Sequence, residues 1–184
     1  MNEDDIELFN KENFIFTKCP QNKYKLHFHL ENNNICIEKI IGFHFLKLIY
    51  DLNPDVYEKT KIEIINDQEA NSTALIKHFF QDIGLPQRYS HVNVTKTIEK
   101  NKIIFVSKSI TTHKPEDMPI DAQLLPLQNM SCTFDIINTH NVSVSLNIVF
   151  GNNFKIPSFV EKIIGLLFFK IFKRVKQFIE NISI

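Results

Sequence analysis

The side chains best suited to chemistry are a histidine pair, three scattered cysteines and a handful of serines and acids. His27 and His29 stand two residues apart, so on an extended segment both leave the same face. Such a His-x-His pair holds zinc only if a third and a fourth ligand converge on it. Cys19, Cys36 and His44 are the available recruits, and no CxxC or HExxH spacing accompanies them. The reading is a polar strand face with solvated histidines, with no metal and no cofactor. His91, His113 and His140 fall in or near expected turns. No Ser/His/Asp or Cys/His arrangement can be assembled from the spacing, so no catalytic residue is assigned. With 4 glycines in the chain there is little room for a phosphate loop, and GxxxxGK[ST], GxGxxG and GxSxG are absent.

Composition narrows the classes further. The chain has 184 residues, 21 basic and 21 acidic, for a formal charge of zero. A nucleic-acid binder needs a basic field to displace counterions, so that class is set aside. A hydrophobic content of 43% is too high for wholesale disorder and supports an ordinary core. The acidic start, Met-Asn-Glu-Asp-Asp, is unlike a secretory signal. The longest apolar run, Ile163 to Phe169, stops at Lys170, far short of the roughly 20 residues that span a bilayer. Three cysteines, an odd and dispersed set, fit a reduced, cytoplasmic setting. The sequons at Asn71, Asn93, Asn129, Asn141 and Asn181 are what so Asn-rich a chain produces by chance.

The elements that must position these residues follow from periodicity. Residues 1–22 read as an N-terminal extension, tied to the body through Phe9, Phe14 and Phe16, ahead of one domain over 23–184. From Lys23 to Leu30 a strand points Leu26, Phe28 and Leu30 one way and the histidines the other. Ile37, Ile40, Ile41, His44, Leu48 and Leu52 space an amphipathic helix closed by Asn53-Pro54. A short strand over 61–65 and a second helix from Asn71 or Ser72 to Ile83, stopped by Gly84, come next. Val92, Val94 and Ile98 then face Ile104, Val106 and Ile110 in a hairpin. That pairing demands an odd loop, Lys100-Asn101-Lys102. A long crossing loop over 112–129 follows. In the last hairpin Cys132, Phe134 and Ile136 face Val142 to Phe150, through Asn138-Thr139-His140. From Pro157 and Ser158 the longest helix runs to about Ile182. Its stripe is Val160, Ile164, Leu167, Phe168, Ile171, Val175, Phe178 and Ile182.

The order of strand, helical segment, antiparallel strands and long C-terminal amphipathic helix resembles the START-like superfamily, also called SRPBCC or Bet v 1-like. The nearest textual match is the chain's end. There Val142 to Phe150 leads through an Asn/Lys linker and Ile156-Pro157 into Phe-Val-Glu-Lys-Ile-Ile-Gly-Leu-Leu-Phe-Phe-Lys. The resemblance covers residues 90–182 and, more faintly, 23–52. The helix expected near 72–83 departs from it, because the family runs a continuous meander after its first helices. The resemblance implies an α+β helix-grip fold, in which a curved antiparallel sheet wraps the last helix, with additional N-terminal helices. It also implies an apolar cavity for a lipid, a sterol or a similar molecule.

On that reading Phe105, Phe134, Val144, Leu146, Ile148, Phe150, Ile164, Phe168 and Ile171 line the cavity. The same residues serve equally well as a solid core. On the outer side of the last helix, Leu166 and Phe169 sit among Lys162, Lys170, Lys173 and Lys176. An apolar pair ringed by lysines suits peripheral contact with an anionic membrane or a protein partner. The segment from Phe9 to Phe16 is the alternative cover for that pair. The three functions open at this point are a carrier of a hydrophobic small molecule, a docking module with a filled core, and a cyclase-like enzyme in the same cavity.

Overall fold

The structure, a computed structural model, describes residues 5–151 and 157–183. The readings of the first four residues and of the linker through Ile156 lie outside the described residues. In chain order the elements are β1 (Ile6–Lys11), β2 (Phe14–Cys19), β3 (Lys23–Glu31), α1 (Phe43–Asp51), β4 (Tyr57–Asn66), β5 (Glu69–Ile76), β6 (Arg88–Glu99), β7 (Lys102–Ser109), β8 (Gln123–Leu124), β9 (Leu127–Asn138), β10 (Asn141–Phe150) and α2 (Ser158–Glu180). The strands make one sheet in the order β1-β2-β3-β10-β9-β7-β6-β5-β4, with the short β8 joined to β6 in parallel. All other pairings are antiparallel. Register shifts in β1, β4 and at both ends of β10 bend the sheet, as an extra residue in one strand does. Helix α2 lies in the resulting concavity.

The strongest alternations in the sequence are met in the fold. Tyr24, Leu26, Phe28 and Leu30 of β3 are buried, while His27 and His29 face outward. Val142, Val144, Leu146, Ile148 and Phe150 of β10 are buried without a break in the alternation. Residues 6–19 add two strands to this sheet. Their hairpin turn places Glu12 and Asn13 at positive φ, and Asn tolerates that region without a glycine.

Several expectations are corrected. The helix over 72–83 is strand β5, followed by a turn of 3-10 helix at Gln81–Ile83. Ala70, Ser72, Thr73, Ala74 and Leu75 are buried on both faces, and such a strand carries no alternation to distinguish it from a helix. The helix over 37–52 is split into a 3-10 turn at Ile37–Ile40 and α1. Ile41 and Gly42 are extended between them, so that Ile37, Ile41, Phe43 and Phe45 all reach the core and His44 does not.

In the β6–β7 hairpin the loop is Lys100-Asn101, and Glu99 pairs with Lys102. Ile103, Phe105 and Ser107 therefore share the inner face with Val94, in place of Ile104 and Val106. The run Ile103-Ile104-Phe105-Val106 is apolar on both faces, so the inner one could not be told from pattern. The crossing loop ends sooner than expected, since β8 and β9 begin inside 112–129. In the last hairpin the inner pairs Val142–Ile136, Val144–Phe134 and Leu146–Cys132 hold. The odd residue is taken up by a register shift beside Asn141, which leaves Thr139-His140 as the loop.

What holds α2 is an aromatic seam. Phe28 meets Phe172 at 5.4 Å between ring centroids, Phe16 meets Phe168 at 5.9 Å, and Phe14 and Phe9 meet the edge of Phe169 at 5.3 and 5.7 Å. Each such pair contributes about 0.5–1.5 kcal/mol beyond its buried area. The surface ion pair Lys173–Glu12 beside it contributes about 1 kcal/mol at most, so the rings dominate. At the far end Asn32, itself buried, donates from Nδ2 to the carbonyls of Ile179 (2.5 Å), in the last turn of α2, and of Ile182 (2.9 Å), just beyond it. The expected stripe is shifted: Phe178 is 45% exposed, while Phe172 and Ile179 are buried.

Gly165 makes the close approach possible. A Cβ there would stand 2.9 Å from Cδ1 of the fully buried Phe16 and 3.3 Å from Cε1 of Phe9. On an exposed helix face Gly→Ala gains close to 1 kcal/mol. Here Gly165→Ala is expected to lose about 1–3 kcal/mol by overpacking. Chemical denaturation checks this, and a stabilised Gly165→Ala would show that the seam is loose.

Candidate ligand-binding cavity

The two halves of the concave face carry side chains of different size. On β2 and β3 the inward residues are Phe14, Phe16, Tyr24, Leu26 and Phe28, which fill the space up to α2. On β5, β6 and β7 the inward row includes Ala70, Ser72, Ala74, Ser90 and Ser107. These small residues do not reach the helices. The consequence is a cavity of about 210 Å³ between this half of the sheet, α1 and the middle of α2.

Of the nine sequence-derived candidates, Phe105, Phe134, Leu146 and Ile148 line the cavity from the sheet, as do Phe150 at the end of β10 and Phe168 and Ile171 from α2. Val144 is on the same inner face but packed within the core. Ile164 lies in a separate groove near the start of α2. Sequence reading missed the contribution of α1, from Phe45 to Tyr50, and of the small residues on β5 to β7. The periodicity of α1 contained the first. The second had no signal, because a serine on a strand reads as an outward residue.

Polar atoms in the lining are sparse. The hydroxyls of Tyr50 and Ser72 are 2.8 Å apart and hydrogen-bond one another. Burial raises the pKa of both Tyr50 and Tyr57, and at Tyr57 the neighbouring Tyr50 adds to it. Burial also pushes the Cys132 thiol up to about 12. Among the described lining residues none is Asp, Glu, Lys, Arg or His. The described lining therefore offers no carboxylate, imidazole or amine for acid-base work.

The first turn of α2 is latched to the sheet. Glu161, buried, accepts hydrogen bonds at one oxygen from Tyr24 Oη and Lys18 Nζ, both at 2.7 Å. An acid in a first helical turn also suits the helix dipole. On the side away from this latch, Phe79, Ile83, Phe159, Ile163 and Leu166 are all exposed and line one groove with Ile164.

The residues expected to dock are distributed unevenly. Leu166 is in that groove at 57% exposure, and Lys162 is exposed. Phe169 is half-buried under Phe9 and Phe14, with the ammonium groups of Lys11 and Lys173 over its ring at 5.4 and 5.5 Å. Lys170 and Arg174 both pair with Asp55, which holds that carboxyl well below its usual range. Lys173 pairs with Glu12, and Lys176 with Glu180 and the carbonyl of His29.

His27 and His29 are on the outer face with ring centroids 5.0 Å apart, and His27 Nδ1 is 3.2 Å from Ser145 Oγ. His91, expected near a turn, is buried in the middle of β6. Among the described residues no three His, Cys, Asp or Glu side chains converge as a metal site requires, and no helix is long and apolar enough to cross a membrane.

The buried phenols and thiol set a pH limit. Between their ordinary values (10.0 for Tyr, 9.0 for Cys) and their raised ones, the native state binds more protons than the unfolded chain. Stability is therefore intact below about pH 9 and falls as pH rises beyond it. Thermal midpoints measured across that range should decline, and less steeply in Tyr57→Phe. Identical slopes for the two proteins would remove Tyr57 from the account.

The chain matches no family model and no curated protein. Among solved structures it is similar to the human StarD13 (DLC2) lipid transfer and protein localization domain, with a TM-score of 0.68 and 13% identity over 97% of this chain and 90% of that one. A STAR-related lipid transfer protein fragment from Xanthomonas axonopodis gives 0.68 and 10%, over 96% and 99%. Human STARD10 gives 0.67 and 9%, over 96% and 73%. With its curved antiparallel sheet closed on a long C-terminal helix, this chain has the START-like helix-grip fold.

Proposed function

We propose that the protein binds and carries a hydrophobic small molecule, a lipid or a molecule of similar character, in the cavity between the sheet and α2. The observation that carries this is the unfilled, apolar space under the helix. At about 24 cal/mol per Å³, a void of about 210 Å³ forfeits roughly 5 kcal/mol of packing. That is a large share of a domain's net stability, and an apolar occupant would restore it. An engineered apolar cavity of about 150 Å³ takes up benzene, whereas pockets for drug-sized ligands run to about 300–1,000 Å³. The space therefore suits a small apolar ligand or the apolar part of a larger one. The similarity to lipid-transfer domains supports the same reading.

The test is to fill the space. Ser107→Leu places a larger side chain in the lining and should leave the thermal midpoint equal or higher, while uptake of a neutral solvatochromic probe such as Nile red falls about tenfold or more. Undiminished uptake in Ser107→Leu would locate probe binding elsewhere.

The groove at the start of α2 favours a second, compatible role, docking on a membrane surface where a carried lipid is exchanged. Five large apolar side chains exposed together, from two elements, form a patch of the kind that marks an interaction site. Lys170, Lys173 and Lys176 are engaged in internal ion pairs, so apolar insertion rather than lysine-anion attraction would drive docking. In flotation assays, vesicles with and without anionic lipid should recruit the protein to a similar extent. Recruitment should be lost in a Phe79→Glu/Leu166→Glu variant. Recruitment that persists in that variant, or that requires anionic lipid, would count against this face acting in this way.

A further inference from the structure

We infer that the ligand is a neutral amphiphile carrying a hydroxyl group, anchored by the Tyr50–Ser72 pair, and that anionic lipids are excluded from the cavity. This rests on the cavity being the ligand site and names what it selects.

The argument is one of charge and hydrogen-bond supply. A carboxylate or phosphate moved into an apolar cavity loses its hydration, and it is tolerated only beside a cation or a set of aligned donors. Among the described lining residues no cation is present, and the nearby cationic pair on α2, Lys170 and Arg174, is already committed to Asp55. The ionisable groups that do line the space, Tyr50, Tyr57 and Cys132, are phenols and a thiol, uncharged at neutral pH even at their ordinary values, and burial raises those values further.

A hydroxyl meets different conditions. The Tyr50 and Ser72 oxygens, 2.8 Å apart, carry two hydroxyl protons between them and use one for their mutual bond. A ligand hydroxyl placed beside the pair can accept the other proton and donate its own to an oxygen lone pair. Around this pair Ile49, Ile76, Val92 and Phe172 supply apolar contact, and the uncharged hydroxyls of Tyr57, 4.8 Å from Tyr50 between ring centroids, and of Ser90 are the other polar groups on the same wall. A site built around one hydroxyl pair discriminates strongly against a group that cannot match it, because its own polar atoms are then left unpaired.

The experiment uses the full chain and a set of ligands of equal chain length: decanol, decanoate and decane. Each competes against Nile red, with native mass spectrometry as a second readout. At about pH 8 decanol should displace the probe at a concentration about 10-fold or more below that needed with decanoate. Toward about pH 4.5, where a carboxylic acid gains its proton, decanoate should approach decanol, whose own affinity stays constant. Tyr50→Phe and Ser72→Ala should each weaken decanol by about 5- to 10-fold and leave decane unchanged. Equal displacement by decanol and decanoate at about pH 8 would overturn the inference while leaving the carrier reading intact. So would an equal loss of decanol and decane in both variants. Failure of Nile red and of all three ligands to bind would overturn both.

Discussion

The architecture depends on how closely α2 can approach the β1–β3 end of the sheet. Gly165 removes the one side-chain stub that would hold the helix off Phe16, and the rings of Phe14, Phe16 and Phe28 then interlock with Phe168, Phe169 and Phe172. The seam is built from residues that are large, rigid and buried, so it leaves α2 a narrow choice of position. Asn32 at one end of the helix and Glu161 at the other refine that position with hydrogen bonds but do not create it.

Once α2 is placed by this half of the sheet, its distance from the other half is no longer adjustable. The inward residues of β5, β6 and β7 include alanines and serines where β2 and β3 present phenylalanines, and the gap they leave is the cavity. The void thus comes from a difference in side-chain volume across a single sheet, not from an opening in the backbone. The same geometry accounts for the low polarity of the site. Its walls are the unfilled remainder of a core, and the hydroxyls in it belong to small residues (Ser72, Ser90, Ser107) or to the packed pair of rings Tyr50 and Tyr57.

The start of α2 is asymmetric in the same sense. One side is fixed by Lys18, Tyr24 and Glu161, while the other presents Phe159, Ile163 and Leu166 across a groove from Phe79 and Ile83. The sequence showed Leu166 and its lysines as an outward patch. It did not show that Phe79 and Ile83 complete the patch, because those two residues were placed on a helix that does not form. Nor did it show that three of the lysines are spent on Asp55, Glu12 and Glu180, acids distributed over the length of the chain. Seven of nine cavity candidates were legible because they lie on alternating strands or on an amphipathic helix. Ile164 and Val144 share those periods and still fall outside the lining, since period alone sets a face and not a depth.

What the chain determines locally, it determines through periodicity. The dry faces of β3 and β10 and the apolar character of α2 follow from a side chain reversing direction every residue in a strand and recurring every 3.6 residues in a helix. Where both faces are buried, as on β5, or both are apolar, as on β7, that signal disappears. Helix, strand and inner face were then settled by neighbours. The cavity, the Tyr50–Ser72 pair and the role of Gly165 belong wholly to the tertiary structure. Each depends on the combined volume or reach of residues remote in sequence, and no local pattern records how much space two distant elements leave between them.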